Sequence, residues 1–398
     1  MKTDILIIGG GVIGLSMARY LGKLAKVTVI EKDYCGAHAS GRNSGVIHAG
    51  IYYTPGSSKA KYSVLGNKML TEFCKEKGVA YENIGKIIAP NSDEELPKIQ
   101  DLYERSLKNG APVKIIDYHE AKQIEPRIIQ QQKYLWSPST SIGDNKGVIK
   151  ALKDECNSIG VNIIEGCKYA GSTEVPGAYM IKTSTNTILA GYVVNCAGLY
   201  ADFVAKDFGV GLNYEILPFI GLYLYGKPGT EGFRTLVYPC PLGKNEFLGV
   251  HTTNNTKGIY MLGPTATPAL WREQYSLKTF SLYETWRSLR RYALCITSST
   301  RSFYIKLLKQ EIRKYNKKNI VDDVSRIVTG IKLEDYKTWG PPAIFPQIVN
   351  STTSELVGDF VVETTPRSLH FVNIVSPGWT SSLAFTKDMA ERIDLSKL

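Results

Sequence analysis

The residues whose types and spacing could do chemistry begin with Gly9, Gly11 and Gly14, a G-x-G-x-x-G string followed, seventeen residues after its last glycine, by Glu31. Each glycine has its own physical task. Gly9 permits a tight turn, Gly11 lets a diphosphate approach backbone amides at the positive end of a helix, and Gly14 lets that helix pack closely on a strand. Glu31 stands where a carboxylate can accept hydrogen bonds from a ribose. Three further strings carry small and polar residues: 41–50 (Gly-Arg-Asn-Ser-Gly-Val-Ile-His-Ala-Gly), 195–198 (Asn-Cys-Ala-Gly) and 376–382 (Ser-Pro-Gly-Trp-Thr-Ser-Ser). Imidazole is the natural proton acceptor near neutral pH, and only five histidines are available: His38, His48, His119, His251 and His370.

These residues need elements to position them. Residues 4–8 form an apolar, β-branched run without alternation, the pattern of a parallel strand buried on both faces. A helix over 12–24 and a strand over 26–30 complete a strand, glycine turn, helix and strand that end at Glu31. Further on, the pattern predicts helices over 58–77, capped by serine, over 92–109, and over 147–159, capped by Asp144. Strands are expected at 81–90, 113–117, 161–165, 179–182, 187–189 and 192–198, with 134–142 as a Ser- and Pro-containing connection. Strand-like runs at 217–226, 246–252 and 258–262 suit an antiparallel sheet. Helical pattern dominates 271–326, and α/β character returns with a strand at 369–375 and a last helix to 392.

At 398 residues the chain suits two interleaved domains or one large α/β domain with an insertion. Hydrophobic residues at 43% and charged residues at 21% are those of a soluble globular protein. The first strand begins within four residues of Met1, and no apolar run of about 18 residues is present, so a cytoplasmic protein is expected. Seven scattered cysteines with no C-x-x-C pair argue against a disulfide framework and against a zinc site, and no metal site is expected. The net charge of +11 is concentrated between Arg287 and Lys318. A solvated helical face explains it, and a peripheral membrane contact is the alternative, given Trp286, Tyr292, Phe303 and Tyr304 among the cations.

Taken in order along nearly the whole chain, the glycine motif with Glu31, the 41–53 string, Asn195 to Gly198 and Ser376 to Ser382 resemble the flavoproteins of the D-amino-acid oxidase superfamily. Within it they are similar to the L-2-hydroxyglutarate oxidase/dehydrogenase group, with Phe247 to His251, Leu262-Gly263-Pro264 and Arg272 to Tyr275 extending the match. The resemblance implies FAD, an α/β fold with a Rossmann-like doubly wound FAD-binding domain, and an α+β substrate domain built on an antiparallel sheet. The FAD domain is expected over 1–80, 144–213 and 351–398, and the substrate domain over 81–143 and 214–350. Cofactor contacts are expected from Gly9, Gly11, Val12, Ile13, Gly14, Glu31 and Lys32, from Arg42, Asn43, Ser44, Gly45 and Val46, and from Ala197, Gly198, Gly378, Trp379, Thr380 and Ser381. Physical reasoning agrees, since a second strand end at Ala197-Gly198 and a glycine-headed helix at Gly378 suit a ligand longer than adenosine.

The implied reaction is FAD-dependent oxidation of a small 2-hydroxy acid to the 2-oxo acid by hydride transfer to flavin N5. Its partners would be an anionic small molecule and an electron acceptor, whether oxygen, a quinone or a carrier protein, with no nucleic acid. His48 lies in the string expected beside the flavin ring and is the expected catalytic base, with His251 as the second catalytic histidine. Glycerol-3-phosphate or amine oxidation on the same scaffold is the competing enzyme reading, and a basic nucleotide-containing binding protein is the non-enzymatic one. Relatives usually carry an arginine, a plausible carboxylate clamp, where this chain has Phe345. Either another cation, such as Lys332, Lys337 or Arg272, takes its place, or the substrate is not 2-hydroxyglutarate.

Overall fold

The structure is a computed structural model that describes residues 1–241 and 249–397. The chain divides into two compact units, one of residues 1–43, 145–218 and 345–398, the other of residues 44–144 and 219–344. Four crossings of the chain between them follow from that division.

The first unit is built on a sheet whose parallel centre runs Asn162–Ile164, Val27–Ile30, Lys2–Ile8, Thr187–Asn195 and Ser368–Asn373. Ile5, Leu6 and Ile7 are fully buried, so the unalternating apolar run of the opening strand reflects a strand covered on both faces. Antiparallel strands Tyr169–Val175 and Ala178–Thr183 extend the sheet at one edge. Helix Val12–Leu21 packs against helices Asn145–Ser158 and Gly378–Glu391. Leu6, Ile8, Ile30, Ile181 and Val193 share one apolar cluster with Val204 of helix Ala201–Asp207, which ties the parallel strands to the antiparallel edge.

The second unit holds three small sheets. One orders Leu236–Pro239, Lys86–Ala89, Tyr134–Ser137 and Lys114–Ile116; a second orders His251–Asn254, Tyr260–Gly263, Leu224–Tyr225 and Thr338–Trp339; the third pairs Val46–Ile47 and Tyr81–Glu82 on either side of Ser141–Gly143. Their ladders are antiparallel except for the parallel pairing of Leu236–Pro239 with Lys86–Ala89. Alternation sends Ile87, Ala89 and Val237 into one apolar cluster and Ile88, Leu236 and Tyr238 into another on the opposite face.

Several expectations change. The first segment of the nucleotide-type unit ends at Asn43 and not near residue 80, because Val46–Ile47 pairs with Ser141–Gly143 and Ala49 and Ile51 join the core of the second unit. Residues 214–218 and 345–350 fall in the first unit. The stretch 134–142 is no mere connection, since it supplies two strands. The strand expected over 81–90 is two strands broken at Gly85, whose φ of +69° belongs to a turn and whose hydrogen faces the Trp136 ring too closely for any side chain. The strand Tyr169–Val175 was not anticipated, its exposed polar face hiding the alternation. Of the run expected at 246–252, Glu246, Phe247 and Leu248 lie outside the described residues.

Candidate functional site

In the first unit the glycine motif closes onto the two strand ends that flank it. The Gly9 amide donates to the Ile30 carbonyl at 2.8 Å, and Gly9 has a φ of +111°. A Cβ on Gly9 would lie 2.3 Å from the Cys196 carbonyl oxygen, and one on Gly14 would lie 1.9 Å from the Gly9 carbonyl oxygen. Neither neighbour can yield, so both positions need glycine for the chain's own packing. Gly11 differs. Its Cβ would meet only the Ser40 hydroxyl, at 3.0 Å, which leaves the approach to the helix N-terminus open. That hydroxyl also accepts from the Val12 amide at 3.0 Å and so occupies one first-turn donor.

Glu31 is buried, and its carboxylate accepts from the Gly10 amide at 2.8 Å and the Asp33 amide at 3.0 Å. Two backbone donors fix its orientation while leaving lone pairs for ribose hydroxyls. Lys32 lies over the Tyr200 ring and pairs with Asp33. Arg42 and Asn43 turn inward to the carbonyls of Ala37, Ala39 and Ser40, so they shape the turn before residue 44. Asn195, fully buried, donates to the Ala201 carbonyl and accepts from the Ala197 amide at 3.1 Å. Gly198 follows with a φ of +52°.

The last helix, Gly378–Glu391, is buried along its first turn. Among the described residues, the Ser381 hydroxyl and the Trp379 indole nitrogen there are buried without a hydrogen-bond partner. Buried polar groups are rarely left so, and two of them at one positive helix end fit the polar edge of a bound group. The cradle at Gly11, the held carboxylate of Glu31 and these two donors fit FAD.

The second unit assembles the histidines. The carbonyls of residues 47–53 are anchored by side chains of two helices, Ser58–Lys77 and Leu96–Lys108, and of the residue that follows the latter. Asn67 donates to the carbonyls of Ile47, His48 and Ser139, Arg105 to Tyr52, and Asn109 to Gly50 and Tyr53. That clamp holds the half-buried His48 on a rigid support. His251 is buried, stacked on Tyr238 with ring centroids 3.5 Å apart, and its Nδ1 lies 2.8 Å from the Gly249 carbonyl. A carbonyl only accepts, so Nδ1 carries the proton and neutral His251 presents Nε2 as an acceptor.

Lys86 completes this cluster and was not singled out from sequence. It is fully buried on a central strand, with Nζ 4.2 Å from the Tyr238 ring centroid and 5.3 Å from that of Tyr52. The signal was present: a lysine opening the run Lys86-Ile87-Ile88-Ala89, in a strand buried on both faces, puts a charge where only apolar residues belong. Burial pushes its ammonium down to about 7. Burial, followed by the charge of Lys86 and by His251, holds His48 well below the ordinary imidazole value. Burial is also the main cause that takes His251 to about 3, opposed by the Gly249 carbonyl. Both imidazoles are therefore neutral across the physiological range.

Other expected residues fall elsewhere. Gly9, Gly11, Val12, Ile13, Gly14, Glu31, Ala197 and Gly198 converge in the first unit, whereas Ser44, Gly45 and Val46 belong to the second. There Gly45, with a φ of +76°, lies against the Gly143 carbonyl, and Val46 pairs with Ile142. His370 is a core residue bonded to Ser368 and Asn195, and His38 pairs with Asp33. Lys332 and Lys337 are exposed, while Arg272 is buried, with its amide on Glu284.

A glycine-motif sheet with a ribose-type carboxylate, joined to a unit carrying neutral imidazoles, defines a dinucleotide-binding oxidoreductase. The chain matches the family model described as FAD dependent oxidoreductase over residues 4–392, and it belongs to that family. It is an FAD-binding enzyme. Among curated proteins it is 36% identical over 416 residues to the mitochondrial L-2-hydroxyglutarate dehydrogenase of Caenorhabditis elegans, covering 100% of this chain and 94% of that one. It is 32% identical over 400 residues to the L-2-hydroxyglutarate dehydrogenase of Escherichia coli strain K12, covering 98% and 93%. Among solved structures, the dithionite-reduced L-α-glycerophosphate oxidase of Mycoplasma pneumoniae with FAD bound superposes with a TM-score of 0.77 at 22% identity, covering 98% of this chain and 94% of that one. Glycine oxidase from Geobacillus kaustophilus follows the same fold at a TM-score of 0.71 and 17% identity, covering 99% and 95%. No helix of the described residues is long and apolar enough to cross a membrane.

Proposed function

We propose that the protein oxidises L-2-hydroxyglutarate, or a closely similar 2-hydroxy acid, to the 2-oxo acid. The observation that carries this reading is the cluster of half-buried His48 with buried His251 and Lys86, in which neutral imidazoles stand beside a cation. Oxidising a secondary alcohol removes a hydride from carbon and a proton from oxygen. Bound FAD supplies the hydride acceptor at N5. His48, neutral and clamped through its own carbonyl by Asn67, takes the hydroxyl proton. His251, with Nδ1 committed to Gly249, offers Nε2 to orient the hydroxyl.

The first unit is the FAD domain in this reading. Gly11 and the amide of Ile13 face the diphosphate, beside the Val12 amide capped by Ser40, while Glu31 holds the ribose and Trp379, Thr380 and Ser381 meet the flavin edge. The second unit is the substrate domain. Full-length likeness to proteins named L-2-hydroxyglutarate dehydrogenase favours the hydroxy acid over polyol phosphates and amines. Anaerobic mixing of the holoenzyme with L-2-hydroxyglutarate, L-lactate, glycerol 3-phosphate and glycine tests it. Bleaching by the first alone is expected, and bleaching by glycerol 3-phosphate or glycine in its place refutes the assignment.

A peripheral membrane contact belongs to this reading. Helix Leu282–Thr297 exposes Leu282, Tyr283, Trp286 and Leu289 at helical spacing, with Arg287 over the Tyr283 ring and Arg290 alongside. An apolar stripe rimmed by guanidinium groups suits an anionic lipid surface. Flotation with anionic vesicles, lost in Trp286→Glu, checks this, and equal binding by the variant refutes it.

A further inference from the structure

Lys86 is the one residue of the imidazole cluster to which nothing so far assigns a task, and its surroundings are costly for the fold. Its strand pairs on one side with Leu236–Pro239 and on the other with Tyr134–Ser137, so no register shift can bring the side chain to solvent. Among the described residues Nζ has no hydrogen-bond partner, although three donors sit on it. The titratable groups around it among the described residues are His48, His251, Tyr52 and Tyr238, with Tyr53 acting on Tyr238 and Lys314 on His251; burial is the cause of its own shift, and no described carboxylate acts on it. A buried ammonium without a counter-ion is a site prepared for an anion from outside the chain. Lys332 and Lys337, the other lysines weighed for such a role, are exposed.

We propose that Lys86 is the cation that receives a carboxylate of the substrate, held beside His48 and His251 by the rings of Tyr52 and Tyr238. The proposal rests on the 2-hydroxy-acid reading and specifies how that acid is recognised. Tyrosine faces stabilise the ammonium electrostatically without neutralising it, so the charge stays available to a carboxylate. An arriving carboxylate gives Nζ its missing acceptor and lifts the ammonium back toward its ordinary proton affinity. It also offsets the charge that, after burial, lowers the proton affinity of His48. Recognition of the anion and activation of the base are thereby one event.

Free Lys86 is protonated below about 7 and neutral above it. Anion affinity should therefore fall about tenfold for each pH unit above that point. The test measures binding of 2-oxoglutarate to the oxidised holoenzyme by calorimetry between pH 6 and pH 9, with flavin content determined in parallel, for the wild type, Lys86→Met and Lys86→Arg. The expected results are a falling wild-type limb, a loss on the order of 10²-fold at pH 6 in Lys86→Met with a flat profile, and recovered, pH-independent binding in Lys86→Arg. A flavin-replete Lys86→Met that binds within about threefold of wild type, or keeps the wild-type slope, overturns the proposal. Should Lys86→Met lose its flavin, the other two proteins decide: a flat wild-type profile overturns the assignment, and a falling one made flat by Lys86→Arg supports it. A wild type that binds no 2-oxoglutarate and is not bleached by the hydroxy acid brings down the functional reading and this proposal with it, whereas bleaching with unchanged Lys86→Met affinity brings down this proposal alone.

Discussion

Substituting Gly11 by valine separates what the glycine motif does for the fold from what it does for the cofactor. A side chain at Gly11 meets only the Ser40 hydroxyl, at 3.0 Å, so the folded protein accommodates it by turning that hydroxyl away. The loss is then the bond from the Val12 amide to Ser40, worth about 1 kcal/mol as for other helix-start caps. For a chain of 398 residues that is about 1 °C in melting temperature. The cofactor is hit far harder, because the added methyls stand where a diphosphate must reach backbone amides. Flavin content should drop from near one per chain to below about a tenth. Gly14→Ala is the contrast. Its Cβ would sit 1.9 Å from the Gly9 carbonyl oxygen, with no mobile group to give way, so it should fold poorly whether or not FAD is supplied. The assay is flavin absorbance per chain together with thermal unfolding of the apoproteins. Gly11→Val carrying a full complement of flavin would falsify the diphosphate assignment, and apo Gly11→Val melting as low as Gly14→Ala would show that the position serves the fold.

His48→Ala should lose about 10² to 10⁴ in the rate of flavin reduction while keeping its FAD, as removal of a general base does; a near wild-type rate in anaerobic stopped flow moves the base to His251. Acid should destabilise the fold through its buried histidines. His251 is held down at about 3 and His370 at about 4, both mainly by burial, so below about 6.5 the unfolded chain binds protons that the folded one refuses. Stability present above pH 6.5 then falls by about 1.4 kcal/mol per pH unit for each group until its folded value is reached, and urea unfolding at pH 7 and pH 5 should differ by roughly 3–4 kcal/mol. Equal midpoints at the two pH values would contradict the burial argument. Lys86 follows the same logic between about 7 and its unfolded value near 10.4, so Lys86→Met should raise stability at pH 7 by an amount on the order of a few kcal/mol; a lower midpoint would mean that the ammonium is compensated inside the fold.

The sequence by itself determined whatever is local. The apolar run before Gly9, the glycine spacing and Glu31 specify a strand, a turn, a helix and a second strand end within about thirty residues, because backbone sterics and close packing act at short range. The start of helix Ser58–Lys77 was legible from its serine cap, and the structure ends it at Gly78 in the left-handed conformation. Its role was not legible: that Asn67 projects from it to clamp His48 depends on where the helix lands. The division at Asn43 likewise depends on Val46–Ile47 pairing with strand Ser141–Gly143, about a hundred residues away. Lys86 is the clearest case. In sequence it is one lysine among 48 basic residues, and only the burial of its strand between two others, with Tyr238 and His251 stacked beside it, turns it into an isolated charge. Spacing along the chain carries steric requirements well, whereas a proton affinity is set by which distant groups and how much water surround a side chain, and only the tertiary structure decides that.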